Sequence, residues 1–112
     1  MVRFPSQSIA LNAIPERMIL GQNYPNPFNP RTWIPFAFSN PSDVVIRIFD
    51  SAGRIIRTID LGMKEAGFYM DRSKAAYWDG RNDLGERISS GVYFYQIRAG
   101  DFTATRRMLI LK

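Results

Sequence analysis

The sequence predicts an antiparallel β-sandwich, and three observations predict it. No segment carries a convincing apolar period of 3.6, so no amphipathic helix is expected. Short runs of β-branched and aromatic residues recur along the chain. Turn signals rich in Gly, Asp, Asn and Pro separate these runs every ~8–12 residues, the spacing of sandwich strands.

Taken in order, residues 1–19 mix Ser, Asn, Gln and Pro with isolated apolar residues such as Ile9, Leu11, Ile14 and Ile19. They read as a partly ordered linker from a larger parent protein, with Ile19 and Leu20 available to pack on a domain. The most informative stretch follows: Asn23, Tyr24, Pro25, Asn26, Pro27, Phe28, Asn29 and Pro30. Each proline fixes φ near about −65° and pushes the preceding residue out of the helical region. Such a segment is neither a helix nor a central strand. A stiff, turning lead-in is expected, with Tyr24 and Phe28 anchoring it and the asparagine side chains closing local turns.

Residues 32–38 are the first full strand candidate, and Pro35 assigns it to a sheet edge. Asn40, Pro41 and Ser42 signal a turn. In residues 44–49, Val44, Ile46 and Ile48 share one face and Arg47 lies on the other, the pattern of a half-buried strand. The turn at residues 50–53 leads to a partner strand over residues 54–61, making a hairpin. Residues 62–74 are polar and irregular, fitting a loop or one short strand. Tyr77 and Trp78 then run into an acidic, glycine-rich turn over residues 79–85. The strongest strand covers residues 92–98, with Tyr93, Tyr95 and Ile97 on one face. A turn at residues 99–101 returns the chain into a last strand over residues 102–111. About seven strands with no helix argue for an immunoglobulin-like sandwich. Trp78 is its natural core tryptophan.

Composition narrows the function. At 112 residues the chain holds one domain, with no Cys and no His. A domain of this size buries roughly 65% of its unfolded surface, so it needs no disulfide or metal staple. The missing residues exclude thiol chemistry, Ser-His-Asp catalysis and the common zinc sites. The charge of +5 comes from 15 Lys and Arg, scattered from Arg3 to Lys112, against 10 Asp and Glu. Nucleic-acid binders concentrate such charge in a stripe, so no nucleic-acid partner is expected. No apolar run approaches the ~20 residues that span a bilayer, so contact with a membrane is peripheral at most. The N-terminus lacks a signal-peptide pattern, which places any export signal outside this chain.

Three chemical readings are open. Asp79, Asn82, Asp83 and Glu86 invite calcium, which takes six to eight oxygens. Their spacing departs from an EF-hand loop and Asp-Gly turns are common without metal, so no cofactor or metal is expected. Paired carboxylates for glycoside hydrolysis would have to flank a cleft, whereas the acids here sit mostly at turns. The aromatic set Tyr69, Tyr77, Trp78, Tyr93 and Tyr95 could stack on a sugar, but such residues more often fill a small core.

Four motifs carry a family resemblance. They are residues 20–32 (LGQNYPNPFNPRT), residues 45–54 (VIRIFDSAGR), residues 78–85 (WDGRNDLG), and residues 90–95 (SGVYFY) continuing through Ala99 and Gly100 to residues 105–112 (TRRMLILK). In this order and spacing, residues 20–112 resemble the type A C-terminal sorting domain of type IX secretion cargo proteins. That domain is related to the immunoglobulin-like domain of the flagellar hook-capping protein. The stretch at residues 70–76 is longer than the family's usual connection.

The resemblance implies a non-catalytic module that targets a cargo protein for export or surface attachment. Its implied partners are the outer-membrane secretion translocon, the cargo-processing machinery and a fused N-terminal cargo domain. The implied location is secreted or cell-surface, reached through the periplasm. Recognition would concentrate on Thr105, Arg106, Arg107, Met108, Leu109, Ile110, Leu111 and Lys112, with Gly91 and Gly100 setting the neighbouring turns. A chain ending in its last strand would offer a free β-edge for capture. The rivals are a structural or adhesive spacer, including a hook-cap-like assembly role, and an ancillary carbohydrate-binding module.

Overall fold

The computed structural model describes residues 15–112. Ile9, Leu11 and Ile14, with most of the expected linker, lie outside the described residues. The strands are β1 (Ile19–Leu20), β2 (Thr32–Ile34), β3 (Phe36–Phe38), β4 (Ser42–Phe49), β5 (Ile55–Lys64), β6 (Gly67–Tyr69), β7 (Ala76–Trp78), β8 (Gly91–Ala99) and β9 (Phe102–Ile110). They form the expected immunoglobulin-like antiparallel sandwich. Among the described residues there are nine strands rather than about seven, because Pro35 divides one run and β1 adds another.

One layer is the sheet β5-β4-β8-β9. Its strands alternate as their sequences demand: Val44, Ile46 and Ile48 of β4 and Tyr93, Tyr95 and Ile97 of β8 all point into the core. Register joins them directly, Ile46 opposite Ile97 and Ile48 opposite Tyr95. On β9 the inward residues are Met108 and Ile110, each almost fully buried.

The other layer holds β1-β3-β6 and the pair β2-β7. Pro35 separates β2 from β3, and the expectation that it marks an edge strand is corrected here. Without an N–H, Pro35 interrupts the ladder, and the chain changes partners across it. Ile34 pairs with Ala76, while Phe36 pairs with Leu20 and Tyr69, so β3 is central. The Pro35 carbonyl accepts the Gly21 amide at 2.9 Å.

Trp78, Phe28, Phe36 and Phe38 fill the space between the layers. Ahead of β1, Pro15 is buried and Met18 packs on the core. The folded unit therefore includes residues before Leu20.

Candidate functional site

The proline-rich segment does not lead into the sandwich as a linker would. It crosses between the layers and fastens the last strand. Asn23 is the pivot, with 2% of its surface exposed. Its side-chain amide donates to Thr32 Oγ1 at 3.0 Å and to the Pro25 carbonyl at 3.3 Å. Its backbone N–H donates to the Tyr95 hydroxyl at 2.9 Å, and that hydroxyl donates to the Gly21 carbonyl at 2.7 Å. Burial, the largest influence, pushes the Tyr95 hydroxyl up to about 12.

Phe28 is the plug. It is 2% exposed and its ring lies 5.4 Å from that of Trp78, tilted by 59°. Its backbone pairs with β9 in parallel at Ile110. The Phe28 N–H donates to the Leu109 carbonyl at 3.0 Å, and the Leu111 N–H donates to the Phe28 carbonyl at 3.2 Å. Asn26 Oδ1 accepts the Leu109 N–H at 2.9 Å. Gln22 Nε2 reaches the Arg107 carbonyl at 2.9 Å, and Arg106 Nε reaches the Leu20 carbonyl at 2.6 Å. Lys112 N–H donates to Ser90 Oγ at 3.0 Å.

These bonds correct the expectation of a free edge at the end of the last strand. Alternate residues of an edge strand turn their backbone groups outward, here Thr103, Thr105, Arg107, Leu109 and Leu111. Partners from residues 22–28 already meet Arg107, Leu109 and Leu111. Among the described residues, no backbone partner meets the outer side of the first half of β9, around Thr103 and Thr105. Within the end of the strand the packing falls on Met108 and Ile110, which are buried, whereas Leu111 is 52% exposed.

Pro30 meets the acidic turn. Gly80 has φ of 79°, and a Cβ there would lie 2.2 Å from the Pro30 carbonyl oxygen. Only glycine fits both the conformation and the contact. Trp78 Nε1 donates to the Arg81 carbonyl at 2.9 Å, holding the same turn from inside.

The four calcium candidates are employed by the protein's own donors. Asp79 Oδ1 accepts from Arg57 Nη1 and from the Arg81 amide, both at 3.0 Å. Asn82 Oδ1 accepts the Leu84 and Glu86 amides at 3.0 and 2.9 Å, and Asn82 Nδ2 donates to Glu86 Oε1 at 2.9 Å. Asp83 Oδ1 accepts the Thr58 amide at 3.1 Å, and the Asp83 N–H donates to the Ile56 carbonyl at 2.8 Å. The turn thereby covers part of the outer side of β5.

The aromatic set is not brought together as a platform. Trp78, Tyr93 and Tyr95 are buried in the core, and Tyr69 stacks on Phe36 at 4.9 Å. Tyr77 alone of the five is largely exposed, at 47%, and it adjoins Trp33, which sequence reasoning passed over. Alternation along residues 32–34 was the available signal, since buried Thr32 and Ile34 turn Trp33 outward.

A family model described as "FlgD Ig-like domain" matches residues 32–101. No curated protein matches the chain. Among solved structures, dimeric latent PorU from Porphyromonas gingivalis superposes with a TM-score of 0.62 at 17% identity, covering 88% of this chain and 10% of that one. PorZ of the same organism, described as an essential bacterial surface component of the type-IX secretion system, gives 0.55 at 18% identity, covering 96% and 12%. The chain thus spans about a tenth of the length of either protein. At these identities the likeness is one of fold.

Proposed function

From membership of the FlgD Ig-like domain family, to which this chain belongs, we propose a non-catalytic sorting module for type IX secretion. In this reading residues 20–112 direct an attached cargo protein to the outer-membrane translocon and its processing machinery, for release or surface attachment. Residues 1–19 form a linker from the parent protein, its last residues docked on the module.

One observation carries the proposal: the first and the last of the four motifs that resemble the sorting domain are bonded to each other. Residues 22–28 and 106–111 lie beyond the two ends of the family match, yet Phe28 and Ile110 pair across more than eighty positions of sequence. The terminal strand is therefore presented in a fixed frame.

Within residues 105–112 the roles divide. Met108 and Ile110 anchor the strand in the core, and Arg106 ties it to Leu20. Thr105, Arg107, Leu109, Leu111 and Lys112 are left for a partner to read, together with the outer edge at Thr103, which has no backbone partner among the described residues. That edge is suited to β-augmentation. The resemblance to PorU and PorZ in fold is consistent with association with the same machinery.

The test fuses the 112-residue chain behind an exported reporter in a host with a type IX system. Intact fusions should reach the surface or the medium. Arg107→Glu and Leu109→Ser, at unchanged melting temperature, should hold the reporter in the periplasm. Retention of the intact fusion would sink the sorting role and leave the spacer or adhesive role in first place.

A further inference from the structure

The outer face of the layer opposite β9 carries a feature that the bonding of the last strand does not use. Trp33 stands opposite Tyr77 in the β2–β7 register and opposite Tyr24 across an isolated bridge. Three aromatic side chains therefore form one row across the strands. Their ring centroids are 6.5 Å apart for Tyr24 and Trp33, and 5.5 Å apart for Trp33 and Tyr77. The row is outward because its strand neighbours Thr32, Ile34, Ala76 and Trp78 are all buried.

Two guanidinium groups sit over the middle ring. Arg72 lies 4.4 Å and Arg31 5.9 Å from the Trp33 centroid. Among the described residues, ion pairs are made by Arg54 and Arg57, and neither Arg31 nor Arg72 joins one. The neighbouring carboxylate, Asp71, turns its Oδ1 to the Ser73 hydroxyl and amide and makes no ion pair with either arginine. The loop bearing Arg72 is itself tied to the row, because the Tyr24 hydroxyl donates to the Met70 carbonyl.

Two unpaired cations gathered on one indole repel each other, and an anion beside them relieves that repulsion. A guanidinium stacked on a ring is held flat, with its N–H edge free for a carboxylate in bidentate geometry. Next to it, Tyr77 offers an open ring face of the kind that stacks on sugars. A neutral glycan would leave the cations unanswered, and an acidic peptide would leave the ring unused.

We propose that the row of Tyr24, Trp33 and Tyr77 with Arg31 and Arg72 binds a carboxylated polysaccharide. The sugar ring stacks on Tyr77 and its carboxylate meets Arg72 and Arg31. Tyr24 and Arg31 belong to the same 20–32 stretch as the sorting motif, but the site uses their outward side chains and not the backbone bonds that hold β9.

The experiment is affinity electrophoresis of the full chain through gels containing polygalacturonate, dextran or poly-glutamate. Polygalacturonate should retard the chain, and dextran should not. Tyr77→Ser and Arg72→Gln, both at exposed positions, should weaken retardation roughly ten-fold, while Arg98→Gln on the opposite layer should leave it unchanged. The proposal fails if polygalacturonate does not retard the chain. It fails equally if Arg98→Gln weakens binding as much as Arg72→Gln, which would reduce the effect to net charge. Equal retardation by poly-glutamate, unaffected by Tyr77→Ser, would reassign the site to acidic peptides.

Discussion

At one edge of the four-stranded sheet the proline-rich segment covers β9; at the other the acidic turn covers β5. Unpaired strand edges invite unwanted pairing, and proteins close them in different ways. The proline segment uses backbone bonds at Leu109 and Leu111 backed by two buried side chains, Phe28 and Asn23. The acidic turn uses Asp83, with 55% of its side chain exposed, and an ion pair from Asp79 to a partly exposed Arg57. One closure is part of the core and the other is surface chemistry. Their energies should differ accordingly, and that difference can be broken experimentally.

The largest losses should come from the core side. Phe28→Ala and Trp78→Ala each remove a buried ring from one contact and should cost about 3–5 kcal/mol in urea denaturation. Phe28→Ala should also speed hydrogen exchange at the Leu111 amide, which donates to the Phe28 carbonyl. A loss under about 1 kcal/mol would mean that the plug rests on the sandwich without closing it.

Next is the contact between the two closures. Gly80→Ala meets both a positive φ and the Pro30 carbonyl, whereas Gly85→Ala meets a positive φ of 82° with open space around it. The second should cost about 1 kcal/mol and the first clearly more. Equal melting temperatures for the two variants would show that Pro30 yields without cost.

Tyr95 links the proline segment to β8. Tyr95→Phe leaves the Asn23 amide and the Gly21 carbonyl without their partner and should cost about 1–3 kcal/mol. The hydroxyl also sets a pH dependence. Its folded value, about 12, exceeds the ordinary 10.0. Its contribution is therefore complete below pH 10 and is lost as pH rises towards 12, because the unfolded chain releases this proton first. Wild-type stability should fall more steeply than that of Tyr95→Phe over this window. Parallel slopes would contradict the buried placement.

The sandwich was legible in the sequence because period-two alternation and turn chemistry act locally. Val44, Ile46 and Ile48 face inward for reasons contained within their own strand. The proline segment was legible as stiff and anchored, since Pro, Tyr and Phe declare that by type. Its partner was not: nothing in residues 23–30 reveals that Phe28 pairs with Ile110, because parallel pairing at such separation depends on the whole fold. The same limit hid the aromatic row. Trp33 and Tyr77 lie far apart in sequence, and only register brings them side by side. The change of partners at Pro35 was missed for a related reason, as a proline marks where a ladder stops and not where the chain goes next.

The smallest effect should be at the acidic turn. Asp83→Asn weakens an exposed ion pair and one amide bond at the β5 edge, and exposed pairs are worth about 0–1 kcal/mol. Rising salt should shrink even that, since charges this exposed are readily screened. The oxygens of Asp79, Asn82 and Asp83 are already taken by amides and Arg57, so a cation would have to displace bonds that fold the turn. Adding a chelator should leave the melting temperature unchanged. A fall of many degrees would show that calcium supplies what the side chains were credited with. The β5 edge would then be closed by a metal, and its contrast with the proline closure would rest on ligand binding rather than on burial.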